Sequence, residues 1–267
     1  MTAFVLELKH SPEQRLDLSP LTPESLSGLA PKEIETLNLA TTRKPATVGD
    51  LFKIKSGYLS KMRFIGTDHR CDRIGHGLSA GEITVEGDAG AYLGAAMSGG
   101  KLTLTGSAGM GAGASMSGGA LQIDGNVEER AAGMFVGQPH GMQGGRLVIG
   151  GKAGPMLGER MRRGLIVVGG DVADYAGARV IAGTIILKRG AGRFAGYGMR
   201  RGSLILLEEP KELLPTFGDC GVLDFDYLRV LEHGLRQTGV AINLGGRARR
   251  FMGDMAVLGK GEMLVLA

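Results

Sequence analysis

The stretch GDAGAYLGAAMSGGKLTLTGSAGMGAGASMSGGALQIDG, residues 87–125, contains two copies of one 19-residue pattern. The pattern extends in both directions, from Met62 to Arg201. Its first positions fall at Met62, Gly81, Gly100, Gly119, Gly145, Gly164, Gly183 and Gly202. These are 19 residues apart, except that the unit opening at Gly119 has 26 and so carries a seven-residue insertion. A fixed period of about 20 residues is typical of a stacked repeat architecture.

Two apolar positions in each unit predict a short strand. In the unit that opens at Gly100 they are Leu102 and Leu104, with the polar Thr103 between them. This alternation predicts a strand with one apolar face. In later units the intervening residue is itself apolar, as the sequence shows at Val148, Val167 and Ile186. We therefore expect the outer face of those later strands to be covered as well.

Glycine and methionine columns predict the corners between the strands. Gly94 and Gly113 hold one equivalent position, and Met97 and Met116 hold another. Glycine suits tight corners because it reaches positive φ at no steric cost, and methionine fills irregular interior space. Leucine-rich repeats, the main competing architecture at this period, expect an asparagine or cysteine ladder that is missing here. The prediction is an all-β solenoid, a right-handed parallel β-helix of about seven turns.

The two ends of the chain lie outside the repeats. Residues 1–55 form a predicted N-terminal arm and cap, residues 56–207 the β-helix, and residues 208–267 a C-terminal cap. Within that last segment, apolar spacing and Gly239 predict a helix over 224–237. The run from Met255 to Leu266 predicts strands with a turn at Gly259–Gly261. Such flanking segments cover the open ends of a repeat array.

Composition favours a cytoplasmic protein. The chain has 267 residues, two cysteines and a net charge of +4. Neither a signal peptide nor an apolar run of the ~20 residues that span a bilayer is evident, so we expect no membrane partner. Two cysteines do not form a disulfide framework. The mild basic excess suggests an acidic partner, which we do not expect to be nucleic acid.

Catalytic motifs are missing from the sequence. The glycine-rich loops near Gly106 and Gly150 fall on the repeat columns, so we do not interpret them as phosphate-binding loops. His140 lies in the inserted loop, where we expect a surface contact with a neighbouring protein chain. The densest group of metal-ligand types has no recognised spacing and is interpreted as a polar first turn rather than a metal site. It comprises Asp68, His69, Cys71, Asp72 and His76.

Six arginines share one corner of the repeats. Arg160 and Arg179 hold the same position in adjacent units, and the pairs Arg162–Arg163 and Arg200–Arg201 hold the same positions two units apart. We expect the two pairs to lie about 10 Å apart, because stacked strands are about 4.8 Å apart. Guanidinium groups bind carboxylates and phosphates, so the corner is a candidate site for a polyanion. The alternatives are a solvated basic face, or pairing with Glu159 and partner chains.

The repeats resemble a known family. Units such as residues 87–125 follow the pattern of the C-terminal β-helix of the glutamate synthase large subunit and of the C subunit of formylmethanofuran dehydrogenase. The stretch ATVGDLF before the first unit is similar in both, and the resemblance spans about residues 45–207. A separate chain of this length resembles the C subunit. The corners GERMRRG and GYGMRRG resemble the version found in the formyltransferase/hydrolase complex of methylotrophic bacteria.

The resemblance implies a non-catalytic scaffold in a complex that converts formyl-tetrahydromethanopterin to formate through a methanofuran-type carrier. It implies three kinds of partner, namely a zinc amidohydrolase, a dehydrogenase-like protein and a formyltransferase, and it assigns no catalytic residue to this chain. The carrier's oligoglutamate tail would suit the six arginines. Two alternatives stay open. One is the C subunit of an archaeal tungsten or molybdenum formylmethanofuran dehydrogenase, and the other is a β-helix enzyme acting on acidic polysaccharide.

Overall fold

The computed structural model describes residues 2–266 and is mostly β. Met1 and Ala267, the outermost residues of the predicted terminal segments, lie outside the described residues. The strands are β1 Ala3–Leu8, β2 Leu16–Asp17, β3 Asn38–Thr41, β4 Ala46–Thr47, β5 Phe52–Lys55, β6 Tyr58–Thr67, β7 Cys71–Asp72, β8 Glu82–Gly87, β9 Ser98–Leu104, β10 Gly118–Ile123, β11 Arg146–Ile149, β12 Leu165–Val168, β13 Thr184–Leu187, β14 Arg201–Leu206, β15 Gly218–Asp224, β16 Arg247–Gly253 and β17 Lys260–Leu266. The helices are α1 Pro31–Glu35, α2 Val48–Leu51 and α3 Asp226–Gln237.

One 13-stranded sheet runs through the repeats. Its order is β15-β16-β17-β14-β13-β12-β11-β10-β9-β8-β6-β1-β5, and the pairs from β1 to β17 are parallel. Equivalent repeat positions face each other, since Leu102 pairs with Leu121 and Leu104 with Ile123. The sheet therefore stacks the 19-residue units with like residues over like residues. A smaller four-stranded sheet, β4-β3-β2-β7, lies at the N-terminal end.

Each unit also bonds to its neighbours outside the sheet. Parallel bridges join Ala89 to Ala108 and continue in the same column as far as Ala191. At the next corner the amide of Gly113 donates to the carbonyl of Leu93 at 2.8 Å. Successive units are thus in register at several points around their circuit, and backbone polar groups find partners in the adjacent unit.

The predicted interior columns are buried. Leu102, Leu104, Met97 and Met116 have no more than 1% of their surface exposed. Gly106 shows why glycine is needed where backbones stack directly. A Cβ there would lie 2.2 Å from the carbonyl oxygen of Gly87 in the unit below. No side chain fits at that distance, so the close stacking of units depends on the glycine.

The outer face of the later strands is covered, as predicted. Val167 and Ile186 are 1% and 0% exposed and pack in a second apolar cluster with Ile205 and Leu264. Leu228 and Leu235 of α3 close this cluster from outside. The helix starts at Asp226, two residues after its predicted start, because Asp224 still belongs to β15 and pairs with Arg247 of β16.

The parallel ladder continues beyond the last predicted unit. β17 pairs in parallel with β14, although 53 residues of chain, 207–259, intervene. β15 and β16, which the sequence did not predict, extend the sheet antiparallel at this end. Residues 255–258, predicted as strand, instead form turns, and β17 begins at Lys260. Among residues 2–266, no helix has both the length and the apolar character needed to cross a bilayer.

Candidate functional site

The six arginines lie where backbone hydrogen bonds stack successive corners. The amide of Arg162 donates to Met142, that of Ile181 to Met161, and that of Arg200 to Val180, at 2.7–2.8 Å. Ile181 and Ala182 thus hold, in the middle unit, the positions that arginine pairs hold in the units on either side. The six arginines, Arg160, Arg162, Arg163, Arg179, Arg200 and Arg201, are all exposed.

Arg160 and Arg179 have left-handed backbones, with φ of 53° and 57°. The equivalent residue of the following unit, Gly198, has φ of 68°. This conformation costs a non-glycine residue about 1–2 kcal/mol. Gly77, Ala96 and Ser115 adopt it in the same column, so the corner geometry of the 19-residue units imposes it, whichever residue is present. The arginine side chains are therefore presented by a backbone conformation that the stacking dictates.

Two neighbouring cavities collect these side chains. The first, of about 540 Å³, is lined by Arg160, Arg179 and Arg200 together with His140, Tyr197 and Val257. The second, of about 300 Å³, is lined by Arg162, Arg163, Arg200 and Arg201 with Leu258. Arg200 and Ile181 belong to both. We call the two cavities together the arginine corner.

Glu159 lies beneath the arginine corner and is 4% exposed. Its carboxylate accepts from Nη1 of Arg130 and from Nη1 of Arg179, each at 3.3 Å. Two cations around one buried anion compensate its charge and direct both guanidiniums. Within residues 2–266 the other five corner arginines form no ion pair. Pairing with Glu159 therefore accounts for Arg179 alone among the six.

Three separate stretches of chain build the first cavity. The repeats supply the arginines, the inserted loop supplies Pro139 and His140, and residues 254–257 supply another wall. Ser115 secures the inserted loop, because its hydroxyl donates to the carbonyl of His140 at 2.8 Å and accepts from the amide of Phe135 at 2.9 Å. The structure thus places His140 at the arginine corner, and its contact with a neighbouring protein chain stays a prediction.

Asp254 secures the other wall and is 2% exposed. Its carboxylate accepts from the amides of Gly198 at 3.0 Å and Ala256 at 2.9 Å. Burial by itself would raise the pKa of Asp254, but hydrogen-bond donors around the carboxylate, these amides among them, hold the pKa below its ordinary value. The Asp254 carboxylate is therefore ionised at neutral pH, and it joins the segment 254–257 to Gly198 of the last predicted repeat unit.

The two aspartates of the first-turn polar group are engaged in structural contacts. Asp72 pairs with Arg15 at 2.6 Å and accepts from the amide of Ala91 at 2.8 Å. Asp68 accepts from Ser11 and from the amide of Arg70. Cys71 is buried, and burial raises the pKa of its thiol to about 12. No group of three metal-ligand side chains occurs in the described part of the chain.

The repeat positions predicted that all six arginines lie together, but not which residues surround them. Glu159 appeared only as a possible partner, and Arg130 did not appear at all. Tyr197 and the 254–258 wall were also missed, because that wall belongs to the non-repetitive segment and no period relates it to the corner. Gly196 and Gly198, with φ of 75° and 68°, were the local signals of a turn at Tyr197.

Comparisons with known proteins bear on the whole chain. The C subunit of the formyltransferase/hydrolase complex Fhc from Methylorubrum extorquens is 43% identical over 264 residues, which is 98% of this chain and 99% of that protein. The C subunit of tungsten-containing formylmethanofuran dehydrogenase 2 from Methanococcus maripaludis is 30% identical over 96 residues, or 35% of each chain. No protein-family model matches.

A solved structure agrees with the sequence comparison. A chain in the X-ray structure of the formyltransferase/hydrolase complex FhcABCD from Methylorubrum extorquens, in complex with methylofuran, superposes with a TM-score of 0.94. The match is 43% identical and covers 98% of this chain and 99% of that one. The resemblance to the C subunit is thus confirmed over the flanking segments as well as the repeats. The chain belongs to the family of the C subunit of the formyltransferase/hydrolase complex.

Proposed function

We propose that this chain is the non-catalytic scaffold of a cytoplasmic formyltransferase/hydrolase complex. The complex would convert formyl-tetrahydromethanopterin to formate through a methanofuran-type carrier such as methylofuran. Its relative of 43% identity is the C subunit of such a complex, and that similarity covers 98% of the chain. The catalytic groups would lie on an amidohydrolase partner, which would hold zinc, and on a formyltransferase partner, with a dehydrogenase-like protein as the third.

We also propose the architecture of the repeats and of the two terminal segments. The repeats form a right-handed parallel β-helix over 56–207, with terminal segments 1–55 and 208–267 covering its ends. The 19-residue register of the sheet and the bonds between units at other points of the circuit support the β-helix. Buried Leu16, Leu18 and Leu21 support the N-terminal covering, and β15 to β17 support the C-terminal one. A rigid stack of this kind suits a scaffold, since each unit is fixed by its neighbours.

The arginine corner would dock the carrier's oligoglutamate tail. The observation that carries this role is the convergence of Arg160, Arg162, Arg163, Arg179, Arg200 and Arg201 on two adjoining cavities. Five of them have no ion-pair partner within residues 2–266, so their charge is available to an external anion. Arg200 faces both cavities, which would let one extended polyanion engage both. Guanidinium–carboxylate bonds of this type are about twice as strong as neutral hydrogen bonds.

The C subunit of an archaeal formylmethanofuran dehydrogenase is a weaker candidate, because those matches extend over only about a third of the chain. The polysaccharide-enzyme alternative is also weaker. The acids it would use are engaged along the stack, as at Asp88, which accepts from the amide of Ser107 at 2.8 Å. Purification from the native cell, followed by mass spectrometry of the co-eluting proteins, separates these possibilities.

The docking role is tested with charge-matched variants of the purified complex. We expect Arg162→Ala/Arg163→Ala and Arg200→Ala/Arg201→Ala to lose bound carrier at least tenfold more readily on washing at moderate salt. The control is Arg43→Ala/Arg193→Ala, which removes the same charge from exposed sites that line neither cavity. Carrier retention that is unchanged in the corner variants, with the partner proteins still co-purifying, would end the docking role and leave the scaffold role standing.

A further inference from the structure

The two edges of the 13-stranded sheet differ in their side chains. At the N-terminal edge, β5 exposes Lys53 and Lys55, and charged residues of this kind discourage pairing with another strand. At the C-terminal edge, β15 exposes Val222 and Leu223, which are 45% and 41% accessible. β15 pairs only with β16 among the described strands. The exposed side chains of β5 are thus charged, whereas β15 exposes two apolar side chains between Asp219 and Asp224.

An apolar groove adjoins the C-terminal edge. It has a volume of about 460 Å³ and is lined by Val222 of β15, Phe251 of β16, Val265 of β17, and Leu207 and Leu213 of the preceding segment. Val265 also packs in the main core, so the groove lies at the end of the stacked units. A stack of repeats needs this end covered, and residues 207–253 cover it incompletely.

The charges around the groove select its occupant. Glu209 lines the groove, and Asp224 lies two residues along β15 from Val222, on the same face. Neither forms an ion pair within residues 2–266, whereas Arg249 is already held by Asp219. A second copy of this chain, pairing antiparallel through Gly221 and Val222, would set Asp219 opposite Asp224. Asp219 is already paired with Arg249, so β15 of a second copy would bring no free cation to Asp224, which disfavours self-association.

We propose that β15 and the adjoining groove dock an extended segment of another protein of the complex. That segment adds an outer strand to β15, inserts an apolar side chain beside Val222, and sets lysine or arginine against Asp224 and Glu209. Strand addition of this kind draws affinity from main-chain hydrogen bonds and specificity from the pocket for alternate side chains. The proposal rests on the heteromeric complex proposed above, but it is independent of carrier docking.

Cys220 allows the occupant to be identified directly. It is exposed on β15, whereas Cys71 is buried with a thiol pKa raised to about 12, so a maleimide photocross-linker that is added to the isolated chain before assembly reacts at Cys220 alone. Irradiation of the labelled complex is expected to join β15 to a peptide of a different protein in which an apolar residue is flanked by lysine or arginine. A cross-link to a second copy of this chain, or to an acidic or helical segment, overturns the proposal.

Hydrogen exchange and paired variants supply independent tests. Amides of Gly218–Asp224 are expected to exchange at least tenfold more slowly in the complex than in the isolated chain, and equal rates overturn the proposal.

Val222→Glu is expected to weaken partner retention at least tenfold, and Val230→Glu, on the exposed face of α3, to leave it unchanged. Equal effects of the two would count against the groove. If Val222→Glu lowers the melting temperature of the isolated chain, Asp224→Lys tests the same contact without an apolar substitution. Unchanged retention in that variant overturns the proposal.

Discussion

The carboxylate of Glu159 and the guanidinium of Arg179 meet beneath the arginine corner at 3.3 Å. The side chain of Glu159 is 6% exposed and that of Arg179 is 53% exposed, so the pair extends from the interior to the surface of the first cavity. Arg130 completes the arrangement at the same distance from the other carboxylate oxygen. Glu159 therefore acts as a positioning residue, which holds one face of the corner in place.

Replacing Glu159 tests this positioning. Glu159→Gln leaves the packing volume but removes the charge, and we expect the free energy of unfolding to fall by about 1–2 kcal/mol. That figure is below the usual cost of breaking a buried pair, because both arginines are partly exposed. Urea unfolding of the variant and of Glu129→Gln, an exposed control, measures the difference. Equal stability of the two variants would contradict the role given to Glu159.

Arg160→Gly separates backbone from side chain. The variant removes a guanidinium from the first cavity. It also relieves the backbone strain of the left-handed conformation, because glycine adopts that conformation freely, as Gly198 does at the equivalent position. The conformational gain of about 1 kcal/mol is offset by the greater freedom of glycine in the unfolded chain. We expect a melting temperature within a few degrees of the original, together with weaker carrier retention. A large drop in melting temperature would mean that Arg160 has a packing role.

Gly106→Ala tests the stacking of the units. Its Cβ would lie 2.2 Å from the carbonyl oxygen of Gly87, so adjacent units would have to separate. We expect at least about 3 kcal/mol of destabilisation, in the range of severe core disruption. Gly234→Ala in α3 is the matched control. No atom lies within 4 Å of its Cβ, and we expect a gain of about 0.5–1 kcal/mol from helix propensity. Similar stability of the two variants would contradict direct backbone stacking.

Acid is expected to release the wall that Asp254 holds. Because its folded pKa is lowered, the carboxylate contributes stability above its unfolded pKa of about 3.9 and loses that contribution as pH falls through the folded pKa. Exchange of the amides of residues 254–259 should therefore stay slow from pH 7 to about pH 4 and accelerate below that range, by comparison with the strands. Asp254→Asn should remove this pH dependence. A transition near pH 6 would point to a different group.

The repeats were predictable because each position recurs. Leu102, Met97 and Gly94 each represent one position that recurs in successive units. The structure buries the leucine and methionine positions and places the glycine position at a corner with positive φ, as the sequence predicts. The six arginines were predicted to lie together for the same reason, because equivalent positions of the 19-residue unit lie above one another in the stack. It also predicted a covered outer face from Val167 and Ile186, though not that α3 covers it.

The non-repetitive segments were predictable only locally. α3 was found within two residues, but β15 and β16 were missed because their sequences alternate weakly and carry exposed charge. Nothing in residues 254–258 indicates that they wall the arginine corner, because Asp254 reaches Gly198 across 56 residues of sequence. The long-range contacts of segments that occur only once produce no repeating sequence pattern, so they could not be predicted.

The most direct test of carrier docking is a structure of this complex with its carrier bound. We expect tail carboxylates within hydrogen-bond distance of Arg200 and of at least one arginine in each cavity. The tail is also expected to cross Ile181, which both cavities share. A tail that is ordered elsewhere in the complex, with the arginine corner filled by a side chain of a partner protein, would contradict docking at the arginine corner.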